Sequence, residues 1–230
     1  MKTIKKKELG IGLFLMATFI VVMIGIFMPL VDGGNALDYL DNLYNSISKG
    51  SAYYIPKVQH LVEEHGSEEV ALNLKMPSIE AAENASLLFT RAGATTAVEN
   101  NNLMVHGDLE RIFTTCLEDA ESAYHNRNEE LESRYGVGAR PALYSWWQAL
   151  LTMEKDLNRQ KLFAAAQLTH TVQAKTVECA YNYYGIEAQE IKNRWGTVLF
   201  SLVFYVLYTI WYGYGIMYIF EGLGFELAAH

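Results

Sequence analysis

The sequence predicts a mainly α-helical membrane protein in which two transmembrane helices flank an extracytoplasmic α+β domain, built from long antiparallel helices and a small βαββ unit. Three observations carry this reading. Leu9 to Val31 and Trp195 to Phe220 contain no charged side chain, and as helices they would each span roughly 35 to 39 Å against a hydrocarbon core of about 30 Å. Over most of the chain between them, apolar residues recur at helical spacing. At Val70–Met76, opening a βαββ unit near residues 70–106, that period drops to two, as a half-buried strand requires.

Orientation follows from charge. Lys2, Lys5, Lys6 and Lys7 precede the first apolar stretch, and basic residues beside a first span hold that end in the cytoplasm. The expected layout is a basic cytoplasmic tail (1–8), a span (9–31), an extracytoplasmic domain (32–194), a second span (195–220) and a short cytoplasmic tail (221–230). A bacterial cytoplasmic membrane with a periplasmic domain is the simplest host. A cleaved signal peptide with a site at Gly34-Asn35-Ala36 is the rival, but its apolar core is usually 7 to 15 residues, shorter than this stretch. Two spans in 230 residues, 51% of them hydrophobic, exclude an ordinary soluble enzyme and a polytopic carrier. The formal charge is −8, and with four lysines spent on the N-terminus the middle segment is more acidic still, which argues against nucleic acid as a partner.

Within 32–194, Ala36 to Ser48 places Leu37, Leu40, Leu43, Tyr44 and Ile47 on one helical face, and Lys49-Gly50-Ser51 interrupts it. Pro56 opens a short helix that Gly66 closes. Val70, Leu72, Leu74 and Met76 alternate with smaller or polar residues as a strand. Ser78 is placed to cap a helix over 79–91, and Asn100-Asn101-Asn102 suits a hairpin turn between two short apolar runs. Asp108 caps a predicted long helix to about Arg134. From Pro141, helix is expected to continue with little interruption into the second span, bending at Gly185 and Gly196.

In the second span, Ser201, Tyr205, Tyr208, Tyr212 and Gly215 follow alternating steps of four and three and share one face. Tyr208 lies near mid-span, where an unpaired hydroxyl costs a few kcal/mol, so it must face protein. Thr18 is the nearest internal partner. Either the two spans pack on each other through Thr18, Gly12, Gly25 and the tyrosine face, or that face meets a separate membrane subunit. Neither span contains Asp, Glu, His, Lys or Arg, so unaided proton relay, carboxylate ion binding and bis-histidine haem ligation lack their residues.

Outside the spans, Glu121 and His125 stand at i, i+4, a weak two-ligand arrangement where a metal site needs three or four. No catalytic or nucleotide-binding motif is present, and neither a cofactor nor a metal is expected. Cys116 and Cys179 lie in an oxidising compartment on this topology. They form either a disulfide, which for a loop that long could contribute about 4 kcal/mol, or two thiols that never meet. Adjacent Trp146 and Trp147 cannot both face one core, so one is exposed or covers a partner. Tyr181, Tyr183 and Tyr184 are either a ligand-lining cluster or core packing.

The plan of anchor, helical domain and second anchor is similar in topology to the sensing half of chemoreceptors and histidine kinases, though no motif of those families is present. The function expected is a non-catalytic accessory or scaffold subunit of a cytoplasmic-membrane assembly. It would sit in the lipid bilayer and dock on other integral membrane protein or a second copy through Ser201, Tyr205, Tyr208, Tyr212, Gly215, Trp146 and Trp147. The alternative is a membrane-anchored periplasmic ligand-binding or sensor domain that signals through a partner.

Overall fold

The computed structural model describes residues 4–30 and 33–225. Lys2, the Val31–Asp32 exit of the first span and the end of the C-terminal tail lie outside the described residues. The chain is mostly helical with one three-stranded antiparallel sheet, and its contacts separate into two units. One comprises Met1–Ser48 with Ala188–His230, and the other comprises Lys49–Glu187.

The first unit is built on α1 (Lys6–Phe27) and the final helix, α10 (Ile191–Gly222), both long and apolar enough to cross a membrane. They pair antiparallel. At one end the Lys5 amide donates to Gly222 O at 2.9 Å, and the Lys5 ammonium meets the Glu221 carboxylate at 2.9 Å. Further along, Trp211 Nε1 donates to Leu15 O at 3.1 Å, and Phe19 stacks on Tyr208 with centroids 4.3 Å apart. Close approach is possible because the crossing is lined by glycine, the usual device where lipid supplies no hydrophobic drive. A Cβ on Gly12 would lie 2.6 Å from Ile219 N, and one on Gly222 would lie 2.5 Å from Leu9 N. The first apolar helix stops at Phe27 rather than running to Val31. Met28 is extended (ψ 143°) because Pro29 disfavours helical backbone in the residue before it. Gly25, expected at the crossing, has no atom within 4 Å of an added Cβ. Helix α2 (Ala36–Ser51) follows, started by Asn35, whose side chain accepts from the amides of Leu37 and Asp38.

The second unit opens with α3 (Ile55–His65), with Pro56 in its first turn and Gly66 beyond its end at φ 75°. The βαββ unit forms as the alternation predicts: β1 (Glu69–Lys75), α4 (Ile79–Arg91), β2 (Thr95–Glu99) and β3 (Asn102–Asp108), in sheet order β1-β3-β2. Leu72 faces Val105 and Leu74 faces Leu103 on the buried side. Ser78 caps α4 by accepting from the Ala81 amide. The hairpin turn is two residues rather than three, because Glu99 pairs directly with Asn102 and Asn100 takes φ 56°. The sheet then feeds α5 (Leu109–Tyr124), capped by Asp108 as its position implies.

Two expectations of long uninterrupted helix fail here. The helix from Asp108 ends at Tyr124 because Asn126 adopts φ 58°, and a separate α6 (Asn128–Tyr135) comes next, stopped by left-handed Gly136. Helix α7 (Ala139–Arg159) ends where Lys161 adopts φ 66°. The chain then continues as α8 (Phe163–Val172), a π-helical segment (Gln173–Val177) and α9 (Glu178–Tyr183) before turning at Gly185, φ 85°. Gly196 lies inside α10 and does not end it.

The core gathers around Trp146, Phe89, Phe113, Leu74, Met153 and Leu150, all buried, with Phe89 edge-on to Trp146 at 5.7 Å. Helix α7 also masks the outer edge of β1, where unpaired backbone groups would otherwise invite another strand. Asp156 accepts from the Asn73 amide at 2.9 Å, and Gln160 donates to Ala71 O at 2.8 Å.

Because Gly12 sits against backbone and Gly25 against nothing, Gly12→Leu should lower the thermal unfolding temperature in maltoside detergent and shift the Trp211 emission, whereas Gly25→Leu should leave both unchanged.

Candidate functional site

Trp146 is a core residue and no docking contact: its ring is fully buried and its Nε1 donates to Asp119 at 2.8 Å. That carboxylate, also buried, is held by the Tyr135 hydroxyl and by Arg134 at 2.7 Å. Burial, with the Asp119 charge beside it, pushes the Tyr135 phenol far above its usual range. A carboxylate with three donors is satisfied, and its role is to order the α5–α6–α7 packing.

Trp147, one residue on, points the other way and lines a cleft of about 260 Å³ with Tyr144, Val177, Glu178, Tyr181 and Asn182. Tyr144 and Trp147 are three apart on α7, so they share a face, and their rings lie nearly parallel (12°) with centroids 6.0 Å apart. The opposite wall comes from the π-helical segment and α9. A π-turn inserts one extra residue per turn and rotates the residues beyond it around the helix axis. This brings Val177, Glu178 and Tyr181 onto the side facing α7. Gln173, at the start of the π-segment, donates to Trp147 O at 3.3 Å and fixes the two walls together. Trp147 Nε1 donates to Glu178 Oε1 at 2.8 Å, so the indole edge holds a carboxylate at the cleft.

The tyrosine cluster divides. Tyr181 faces the cleft, while Tyr183 and Tyr184 pack on the core, with the Arg140 guanidinium 5.7 Å above the Tyr184 ring. Sequence reasoning misses Val177, Glu178 and Asn182, since nothing in composition or periodicity announces a π-turn.

Below α9, the buried ammonium of Lys49 is surrounded by acceptors. Its Nζ donates to Ile186 O at 2.5 Å and Tyr183 O at 3.2 Å and sits 4.8 Å from the centroid of the Tyr124 ring. Burial lowers its pKa, opposed by the nearby Glu187. Asn126 completes the fastening, accepting from the Gly185 amide at 2.7 Å and donating to Glu187 at 2.9 Å. Burial raises the phenols of both Tyr124 and Tyr53 to about 12, the latter helped by its hydrogen bond to Glu121.

Cys116 and Cys179 are free thiols, so no disulfide forms. Cys116 is enclosed in the core, and Cys179 donates to Ala52 O at 3.1 Å instead of facing it. His125 contacts Glu121 at 3.0 Å, the same carboxylate oxygen that takes the Tyr53 hydroxyl at 2.6 Å. Among the described residues no three His, Cys, Asp or Glu converge as metal ligands.

In the first unit, the face of Ser201 to Gly215 is largely spent within the chain. Ser201 donates to Val198 O and takes the Tyr44 hydroxyl at 2.6 Å. Tyr208 and Tyr212 pack on Phe19, and Gly215 is buried near Met16. Thr18 does not meet Tyr208, since its hydroxyl bonds to Phe14 O and Leu15 O of its own helix, the usual resort of a mid-helix threonine. Of this face Tyr205 is the most exposed, at 67%, ahead of Tyr212 at 44%. No protein-family model matches the chain, and neither the curated proteins nor the solved structures contain a significant match to it.

Lys49→Met keeps the stem and removes the ammonium, so Ile186 O and Tyr183 O lose their charged donor and keep only the Asn126 side chain and the Ile186 amide. It should cost about 2 to 3 kcal/mol and speed hydrogen exchange across 183–187. The Tyr124 phenol has a folded pKa above its unfolded value, so its contribution is complete below about pH 10 and is lost as pH climbs through about 12. The stability gap between wild type and Tyr124→Phe should therefore close over that interval in denaturant titrations.

Proposed function

We propose that the chain is a two-pass, non-catalytic accessory or scaffold subunit of a cytoplasmic-membrane assembly, holding residues 49–187 outside the cell. Support for this topology comes from the antiparallel pairing of α1 and α10. The lysine-bearing end of α1 lies beside the Glu221 end of α10, so a basic tail retained in the cytoplasm would keep both ends there.

The observation that carries the docking reading is Tyr205. It sits near the middle of α10, it is largely exposed, and among the described residues its hydroxyl has no hydrogen-bond partner. A phenol facing hydrocarbon at mid-span costs free energy that a neighbouring membrane helix would recover. Nearby, Thr18, Ser201, Thr209 and Trp211 have outlets within the chain, and Tyr208 and Tyr212 pack on Phe19.

A second reading, a membrane-anchored ligand-binding or sensor domain acting through a partner, draws on the Trp147–Tyr181 cleft. Its walls are fixed by hydrogen bonds and its aromatic lining is partly open to solvent.

A photocrosslinking residue in place of Tyr205, with one in place of Val206 as control, tests the docking reading in native membranes. Position 205 should yield a discrete adduct with an integral membrane protein or a second copy, and position 206 should yield at least fivefold less. Protease added to intact spheroplasts should degrade the 49–187 domain. A monomer without adducts in mild detergent, or a domain protected until lysis, would overturn the proposal.

A further inference from the structure

We infer that the cleft between α7 and α9 binds a small organic cation bearing a quaternary or fully methylated ammonium group, held against Trp147, Tyr144 and Tyr181 and beside the carboxylate of Glu178. This deepens the ligand-binding reading and rests on it.

The lining supplies the complement of such an ion. Three aromatic side chains line the cleft, and an ammonium over a ring face within about 6 Å of the centroid is attracted by the ring quadrupole, tryptophan offering the strongest site. Glu178 adds a formal negative charge, and among the described residues no Lys, Arg or His lines the cleft to oppose an incoming cation. The nearest guanidinium on α7, Arg140, is engaged over the Tyr184 ring. The Trp147–Glu178 hydrogen bond serves both parts of the site, because it sets the plane of the indole and holds the carboxylate where the ligand charge would sit.

The chemistry also selects among cations. A primary ammonium carries three N–H donors and needs three acceptors. Here part of the Glu178 acceptor capacity is already used by the Trp147 N–H. A methylated ammonium has no N–H to satisfy and presents methyl groups to rings. Size agrees. The cleft, at about 260 Å³, lies below the roughly 300 to 1,000 Å³ of pockets for drug-sized ligands, which suits a headgroup of choline or betaine dimensions. Tyr144 and Tyr181 remain 50% and 39% exposed, leaving the rings open for a ligand to cover.

The test uses the full chain in maltoside detergent, which carries no choline group. Choline and tetramethylammonium are titrated by calorimetry beside 3,3-dimethylbutan-1-ol, the neutral isostere of choline. The cations should bind saturably and at least tenfold more tightly than the alcohol. Tyr181→Ala and Glu178→Gln should each weaken choline binding at least tenfold. Glu178→Gln keeps an acceptor for Trp147, so its melting temperature without ligand should match wild type, separating lost charge from lost fold. Free solute and lipid headgroup are distinguished in nanodiscs. A choline affinity reduced in phosphatidylcholine relative to phosphatidylglycerol would identify the headgroup as occupant, and an unchanged affinity would identify the solute. Equal binding of the alcohol and the cations, or an unaltered Glu178→Gln, would overturn the cation assignment while leaving the cleft a ligand site. Absence of binding by all three compounds would overturn both.

Discussion

The folded domain of residues 49–187 is closed by one buried ammonium. Lys49, its first residue, is 2% exposed and reaches across to the carbonyls of Tyr183 and Ile186 near the domain's last residue. Desolvating an ammonium costs several kcal/mol, and two carbonyl dipoles and the face of Tyr124 offset that cost only while the 183–186 backbone stays in place. The interaction therefore demands a particular conformation of the exit segment, and Asn126 reinforces it from the break between α5 and α6. That break, which interrupts an otherwise regular apolar stripe, places a left-handed asparagine where its amide can read Gly185 and Glu187.

The same fastening bears on the cleft. Helix α9 carries Glu178 and Tyr181 and is only Glu178–Tyr183 long, too short to hold a position by its own hydrogen bonds. It is held at its end by Lys49 on Tyr183 O and ahead of it by Gln173 on Trp147 O. Between these two ties, the π-turn sets which side chains look toward α7. A ligand would then meet walls already ordered, with little conformational entropy left to lose on binding.

In both units, several polar groups in apolar surroundings find partners close at hand. Asp119 takes three donors in the core. In the helix pair, Thr18 returns to its own backbone, Trp211 bonds to the neighbouring helix and Ser201 takes the hydroxyl of Tyr44. Tyr205 is the most exposed tyrosine of α10, which is why it carries the docking proposal, while Tyr208, nearer the expected centre of a polar face, is stacked on Phe19.

Some of this was legible in the residues alone. Unbroken apolar length marked α1 and α10, and period-two alternation at Val70–Met76 with the Asn100–Asn102 turn marked the βαββ unit. Ser78 and Asp108 gave the caps, because each of these signals acts over a few neighbouring residues. The breaks at Asn126 and Lys161 left no such mark, since a left-handed non-glycine residue is held by contacts distant in sequence. Which of two adjacent tryptophans enters the core, whether Cys116 meets Cys179, and that Glu178 joins Trp147 and Tyr181 were decided by packing. Local spacing determines which residues share a helix face. Only the tertiary arrangement determines what that face meets, because the burial free energy belongs to both surfaces together.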